Sequence, residues 1–218
     1  SSYNPNTTPA TSPQNIWVTA IDANGCESAA SQVTVVVNPA PTATATPATQ
    51  TLCSGSNTNI LLTSPQSGTN FIWTVSGATG NVVGETACPS GCSNLIAQTL
   101  SLAAGITTPQ TITYTVTPIG VAPTNCPGTP IAVDITVNPN PDVTATPSAT
   151  IICSGSATDI ALSSTIAGTL YTWTATGSSG TVTGFSNQAT PVAGPIAQTL
   201  TNTGNNAATV TYTIMPLF

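Results

Sequence analysis

Six cysteines, Cys26, Cys53, Cys88, Cys92, Cys126 and Cys153, and six carboxylates, Asp22, Glu27, Glu85, Asp134, Asp142 and Asp159, are the residues whose types could do redox, metal or acid–base chemistry. No Lys, Arg or His accompanies them. An imidazole base, an imidazole metal ligand, a lysine Schiff base and a Lys–Asn isopeptide bond are therefore all excluded. The carboxylates are scattered and mostly do not recur with the chain's internal repeat, so no acid–base dyad can be named and the chain reads as non-catalytic. Cys88-Pro89-Ser90-Gly91-Cys92 is a single close pair. A structural zinc site needs four ligands, usually two such pairs, so disulfides are the better reading of the cysteines and no metal or cofactor is assigned. Calcium stays open at Asp142 and Asp159. No Asp-rich loop of the calcium-binding kind surrounds either, and a solvated carboxylate is the simpler account.

Disulfides imply an oxidising compartment, hence an extracellular or cell-surface location. The composition agrees. The net charge is −6, the isoelectric point is about 4.1, and only 3% of residues are charged. Without cationic side chains nothing can neutralise phosphates, so nucleic acid and anionic membrane surfaces are excluded as partners. No apolar run reaches the 18 or so residues of a membrane helix, so no membrane insertion is expected. With 39% hydrophobic residues the chain has enough apolar surface to fold. A chain lacking Lys and Arg also offers trypsin-like proteases no preferred site.

The cysteines sit in a repeat of 100 residues. Val37-Asn38-Pro39 returns as Val137-Asn138-Pro139, Cys53-Ser54-Gly55-Ser56 as Cys153-Ser154-Gly155-Ser156, and Ile96-Ala97-Gln98-Thr99-Leu100 as Ile196-Ala197-Gln198-Thr199-Leu200. Cys26 corresponds to Cys126. A unit this long exceeds ordinary solenoid repeats and can hold its own core, so the chain divides into tandem domains. Residues 1–38 read as the C-terminal part of a module, 39–138 as a complete module, and 139–218 as a module lacking its last strand. The chain is expected to be a cut from a longer array.

Each module reads as strands. In the complete one, Ile60 and Leu62, then Phe71, Trp73 and Val75, then Leu100 and Leu102, Ile112 to Val116, and Val133 to Val137 carry apolar residues at every second position, with Thr and Ser between. A period of two, punctuated by Gly, Pro and Asn, describes half-buried strands of an antiparallel sandwich. Seven strands in about 100 residues fit an immunoglobulin-like fold, so the fold class is all-β, as tandem sandwiches arranged end to end. Strand A is placed near 42–46, B near 58–63, C near 69–76, a short C′ near 81–83, E near 96–102, F near 111–117 and G near 131–137. Trp73 and Trp173 then fall on C, and Tyr114 and Tyr212 on F. All four are in phase with the apolar face and are read as core residues.

Within this frame Cys88 and Cys92 close a small loop between C′ and E. Cys53 and Cys126 are both expected to be oxidised, in one of two ways. Their joint presence in each repeat suggests a bond inside one module. However, Cys53 precedes B at one end and Cys126 lies in the F–G turn at the other, a strand's length of about 17 to 20 Å away. The alternative joins the cysteine before B in one module to the F–G turn of the next. Cys26 and Cys153 are left without assigned partners.

The strings Cys53-Ser54-Gly55-Ser56-Asn57-Thr58-Asn59-Ile60, Phe71-Ile72-Trp73-Thr74, Ile96-Ala97-Gln98-Thr99-Leu100, Thr113-Tyr114-Thr115-Val116-Thr117-Pro118, and Cys126-Pro127-Gly128 through Val137-Asn138-Pro139 resemble the PKD-like repeats of Bacteroidota surface proteins. Residues 16–39 resemble the end of a related Ig-like repeat. The resemblance implies spacer modules in gliding-type adhesins and other type IX secretion cargo. The chain departs from that family in lacking Lys and Arg and in its Cys88 and Cys92 pair, which the third module replaces with Gln188 and Val192.

Three functions follow as expectations. The first is a non-catalytic rod segment of a large adhesin or surface fibre, its partners the neighbouring modules. The junctions Asn38-Pro39-Ala40-Pro41 and Asn138-Pro139-Asn140-Pro141 favour it, because alternating prolines stiffen a linker. The second is a carbohydrate-binding array contacting surface glycans, which would need two or more exposed aromatics flat on one face. The third is a filament subunit that assembles by strand addition, with residues 33–37 of one copy beside residues 210–214 of another. Asn6-Thr7-Thr8 is in addition a glycosylation sequon.

Overall fold

The computed structural model describes residues 14–218 except positions 79 and 124, with side chains described from Trp17 onward. The sequon at Asn6 and the first part of segment 1–38 lie outside the described residues. Described residues contain strands, turns and bends, and no helix. At the front, β1 (Gln14–Val18) and β2 (Ser31–Val35) form an antiparallel hairpin enclosing Cys26. Every residue of β2 is exposed.

The middle module contains β3 (Thr44–Thr46), β4 (Thr49–Cys53), β5 (Ser56–Asn57), β6 (Ile60–Thr63), β7 (Asn70–Gly77), β8 (Val82–Val83), β9 (Leu95–Ile96), β10 (Thr99–Leu102), β11 (Gln110–Ile119) and β12 (Ile131–Asn138). One layer runs β4-β12-β11-β7, and the other is made of β3-β6-β9 and β5-β10-β8. Alternation decides which faces meet. Ile112, Tyr114 and Val116 of β11 and Val133, Ile135 and Val137 of β12 are fully buried, and the threonines between them point outward. They pack with Ile60, Leu62, Ile96 and Leu100 of the opposite layer. Each such side chain contributes about 1.5 to 3 kcal/mol by leaving water, which in a chain with almost no ion pairs to draw on must carry most of the stability.

The strands expected from periodicity are all present, and β4 is an addition. It runs parallel to β12, with Asp134 opposite Thr49 and Asn138 opposite Cys53. Thr49-Gln50-Thr51-Leu52-Cys53 carries a single buried apolar residue, Leu52, and its partner lies some eighty positions away, so local alternation could not reveal it.

The third module repeats the arrangement with β13 (Thr144–Pro147), β14 (Ile160–Ser163), β15 (Leu170–Gly177), β16 (Val182–Thr183), β17 (Gln188–Val192), β18 (Thr201–Asn202) and β19 (Val210–Leu217). Among the described residues β19 pairs only with β15, and the segment 149–153, counterpart of β4, forms no strand. The reason is local to the fold: β4 draws its ladder bonds from β12, and residues 139–218 contain no counterpart of β12. Val210, Tyr212 and Ile214 are accordingly half-buried where their counterparts in β11 are fully buried.

Candidate functional site at the disulfide loop and the module ends

Cys88 and Cys92 are bonded, with Cα atoms 5.9 Å apart, as the spacing predicts. The loop docks on the edge of β7, where Cys88 and Trp73 exchange two backbone bonds of 2.9 Å. In the third module the same positions are β17, a five-residue strand that pairs Gln188 with Trp173 and Val192 with Tyr171. The disulfide thus takes the place of an edge strand and caps an otherwise open ladder.

Trp73, Trp173 and Tyr114 are buried and Tyr212 is half-buried. The Trp73 indole N–H donates to Thr86 O at 3.1 Å. Tyr114 O–H donates to Gln98 Oε1 at 2.7 Å, and burial, with Glu85 nearby, pushes its phenol well above the usual range. Gln98 does more than accept this bond. Its Oε1 also accepts from Thr86 N–H and its Nε2 donates to Thr86 O, both at 2.8 Å, so its amide mimics one rung of a strand ladder. Gln198 does the same with Ser186 N–H and O, each at 2.9 Å, and takes the Tyr212 O–H at 3.0 Å. Sequence reasoning left this glutamine without a role. The signal was its recurrence in phase with the tyrosine, which propensity and periodicity do not interpret.

Cys53 and Cys126 are not bonded to each other, which corrects the internal pairing. Cys53 ends β4 opposite Asn138, the last residue of β12, whereas Cys126 precedes β12. The length of β12 separates them, over 20 Å at about 3.3 Å per residue. Cys26, Cys53 and Cys153 are exposed thiols and Cys126 is half-buried.

Each of these two cysteines marks one end of the module. At the Cys53 end, Ser54 N–H donates to Asn138 O at 2.9 Å, and Asn140 Nδ2 donates to Ser54 O at 2.9 Å. At the Cys126 end, Cys126 lines a shallow cleft with Asn38, Pro39, Pro41, Gln66 and Gly120. Gln66 ties the linker down there, accepting from Thr42 N–H and donating to Ala40 O, both at 3.0 Å. In the third module Asp142 does this work. Its Oδ1 accepts from Ser164 Oγ at 2.6 Å, Thr165 N–H at 2.8 Å and Thr165 Oγ1 at 3.0 Å, bonds that hold its carboxyl below the usual range. These donors all engage Oδ1, and the described residues contain no cluster of three or more potential metal ligands. Asp159 offers Ser148 N–H its backbone carbonyl.

Exposed aromatics among the described residues are Trp17 and Phe218, at opposite ends of the chain. No face of the middle module carries the flat aromatic pair that a carbohydrate platform would need. No helix is long and apolar enough to cross a membrane.

No curated protein is similar to this chain. Among solved structures, one similar to it is the CsuC–CsuE chaperone–tip adhesion subunit pre-assembly complex from archaic chaperone-usher Csu pili of Acinetobacter baumannii, with 11% identity over 76% of this chain and 97% of that chain. Its TM-score of 0.26 is too low for the likeness to inform strand order or function. The family model of the PKD-like domain matches twice, over residues 50–141 and 150–218. The two matches cover most of the chain and coincide with the two sandwiches just described, so this chain belongs to the PKD-like domain family.

Proposed function

We propose that the chain is a rod segment of a large extracellular adhesin or surface fibre, divided at 1–38, 39–138 and 139–218, in which the modules set reach and stiffness and carry no catalysis. The observation that supports this most directly is how the linkers are held. Pro41 and Pro139 are buried against module ends, and side chains of Gln66, Asp142 and Asn140 tether the linker backbone or its neighbours. A linker bonded to what it joins resists hinging. Small-angle scattering on the chain tests the reading: a maximum dimension near the sum of the middle and third modules' lengths is expected, and a broad distribution of compact, hinged forms would refute it. The sequence resemblance further supports a Bacteroidota surface protein exported as type IX secretion cargo, which secretion of the full protein by strains with and without that system would check.

A second reading, assembly by strand addition, draws on the single-sided pairing of β19 and the full exposure of β2. The mass of the reduced, denatured fibre separates the two. One very large chain supports the rod, and a ladder of short subunits supports strand addition.

A further inference from the structure

We infer that successive modules are stapled by a disulfide joining the Cys53-type thiol of one module to the Cys126-type thiol of the next; the inference rests on the rod reading. Three observations converge on it. Cys53 and Cys126 occupy opposite ends of one sandwich, too far apart to bond internally. Cys53 is next to Ser54, which is hydrogen-bonded to Asn138 and Asn140 of the departing linker. Cys126 lies in the turn that receives the arriving linker: its carbonyl accepts from Gly120 N–H at 2.9 Å, and it borders the cleft formed with Asn38, Pro39 and Pro41. Gly128, two residues on, approaches Pro41 so closely that a Cβ built on it would stand 1.8 Å from the Pro41 carbonyl oxygen.

The repeat maps Asn38-Pro39-Ala40-Pro41 onto Asn138-Pro139-Asn140-Pro141. A Cys53-type thiol therefore flanks the first three positions of each linker, and a Cys126-type turn of the following module packs on the fourth and borders the first two. Both thiols therefore border the same four-residue linker, from opposite sides of the junction. Exposure of Cys53 and partial exposure of Cys126 leave both sulfurs accessible. The partner of Cys53 is thus the Cys-Pro-Gly-type turn of the following module, and the partner of Cys126 is the Cys-Ser-Gly-Ser-type segment of the preceding one. Formation is ordinary thiol–disulfide exchange. One thiolate attacks the disulfide of a dithiol oxidoreductase, the second thiolate displaces that enzyme from the mixed disulfide, and the enzyme leaves as a dithiol carrying the two electrons and two protons. The staple would lock twist as well as bend at each junction, which hydrogen bonds to the linker alone do not.

Peptide mapping of the full-length protein tests this, with thiols alkylated during isolation and digestion by pepsin without reduction. The expected result is a Cys53 peptide crosslinked to a turn peptide of the following module and a Cys126 peptide crosslinked to a Cys-Ser-Gly-Ser peptide of the preceding one. A Cys53–Cys126 crosslink, or alkylation of both, overturns the staple while leaving the rod intact. An intact mass leaving no room for further modules overturns the rod reading as well. In a Cys53→Ala variant, one newly alkylated cysteine should appear in the following module's turn. Alkylation of Cys126 instead would refute the pairing.

Discussion

Replacing Gln98 with Leu keeps the side chain's bulk but removes the amide that bonds Thr86 and Tyr114. Three bonds disappear: the Tyr114 O–H loses its acceptor and Thr86 loses its pairing at both N–H and C=O. Tyr114 is fully buried, so its orphaned hydroxyl costs about 1 to 3 kcal/mol. Thr86 is exposed, water replaces the amide there, and the two backbone bonds add only about 0.5 kcal/mol each. The sum is about 2 to 4 kcal/mol. Hydrogen exchange by mass spectrometry on the whole chain reads this module by module, and the amides of β11 and β12 should exchange roughly 30- to 700-fold faster at that cost. Gln198→Leu is the internal control. Tyr212 is half-buried and can turn to water, so the loss in β19 should be smaller. A Gln98→Leu effect below tenfold, or one no larger than that of Gln198→Leu, would show that the amide's bonds to Thr86 and Tyr114 do not hold the core closed. Tyr114→Phe should rescue part of the Gln98→Leu loss, because no buried hydroxyl is then left unpaired.

Removing the disulfide with Cys88→Ser and Cys92→Ser should destabilise the middle module by about 2 kcal/mol, the loop-closure entropy of so short a ring, and leave the third module unchanged in the same exchange experiment. Gly84 adopts a φ of +97°, and a Cβ there would stand 2.1 Å from Thr99 O, so Gly84→Ala should cost about 2 to 4 kcal/mol by denaturant titration; Gly184→Ala, with Thr199 O at 2.0 Å, should act likewise. Tyr114 should not ionise with the other tyrosines. Its folded pKa is raised above the free value of 10.0, so its contribution to stability is complete below pH 10 and is lost as the pH rises further. Absorbance at 295 nm should show its titration coinciding with alkaline unfolding, and early, reversible ionisation of every tyrosine would contradict the burial.

Much of this protein was written locally. Alternation of Ile, Val and Tyr with Thr in β11 and β12 fixes which side of each strand meets the core, because a strand turns successive side chains to opposite faces whatever its surroundings. The Cys88–Cys92 bond was equally legible, since a five-residue turn leaves two thiols little choice of partner. The recurrence at 100 residues marked two successive units, and the PKD-like family model also matches twice. Tertiary structure decided what depends on elements far apart in sequence. That β4 joins β12 in parallel, that Gln98 completes a ladder beside Thr86, and that Cys53 and Cys126 stand at opposite ends all follow from how the two layers are stacked and threaded. A one-dimensional period records which face of a strand is apolar. It carries nothing about which strand lies alongside, because backbone hydrogen bonds between strands are nearly indifferent to side-chain identity, and the choice among partners is made by packing of the whole core.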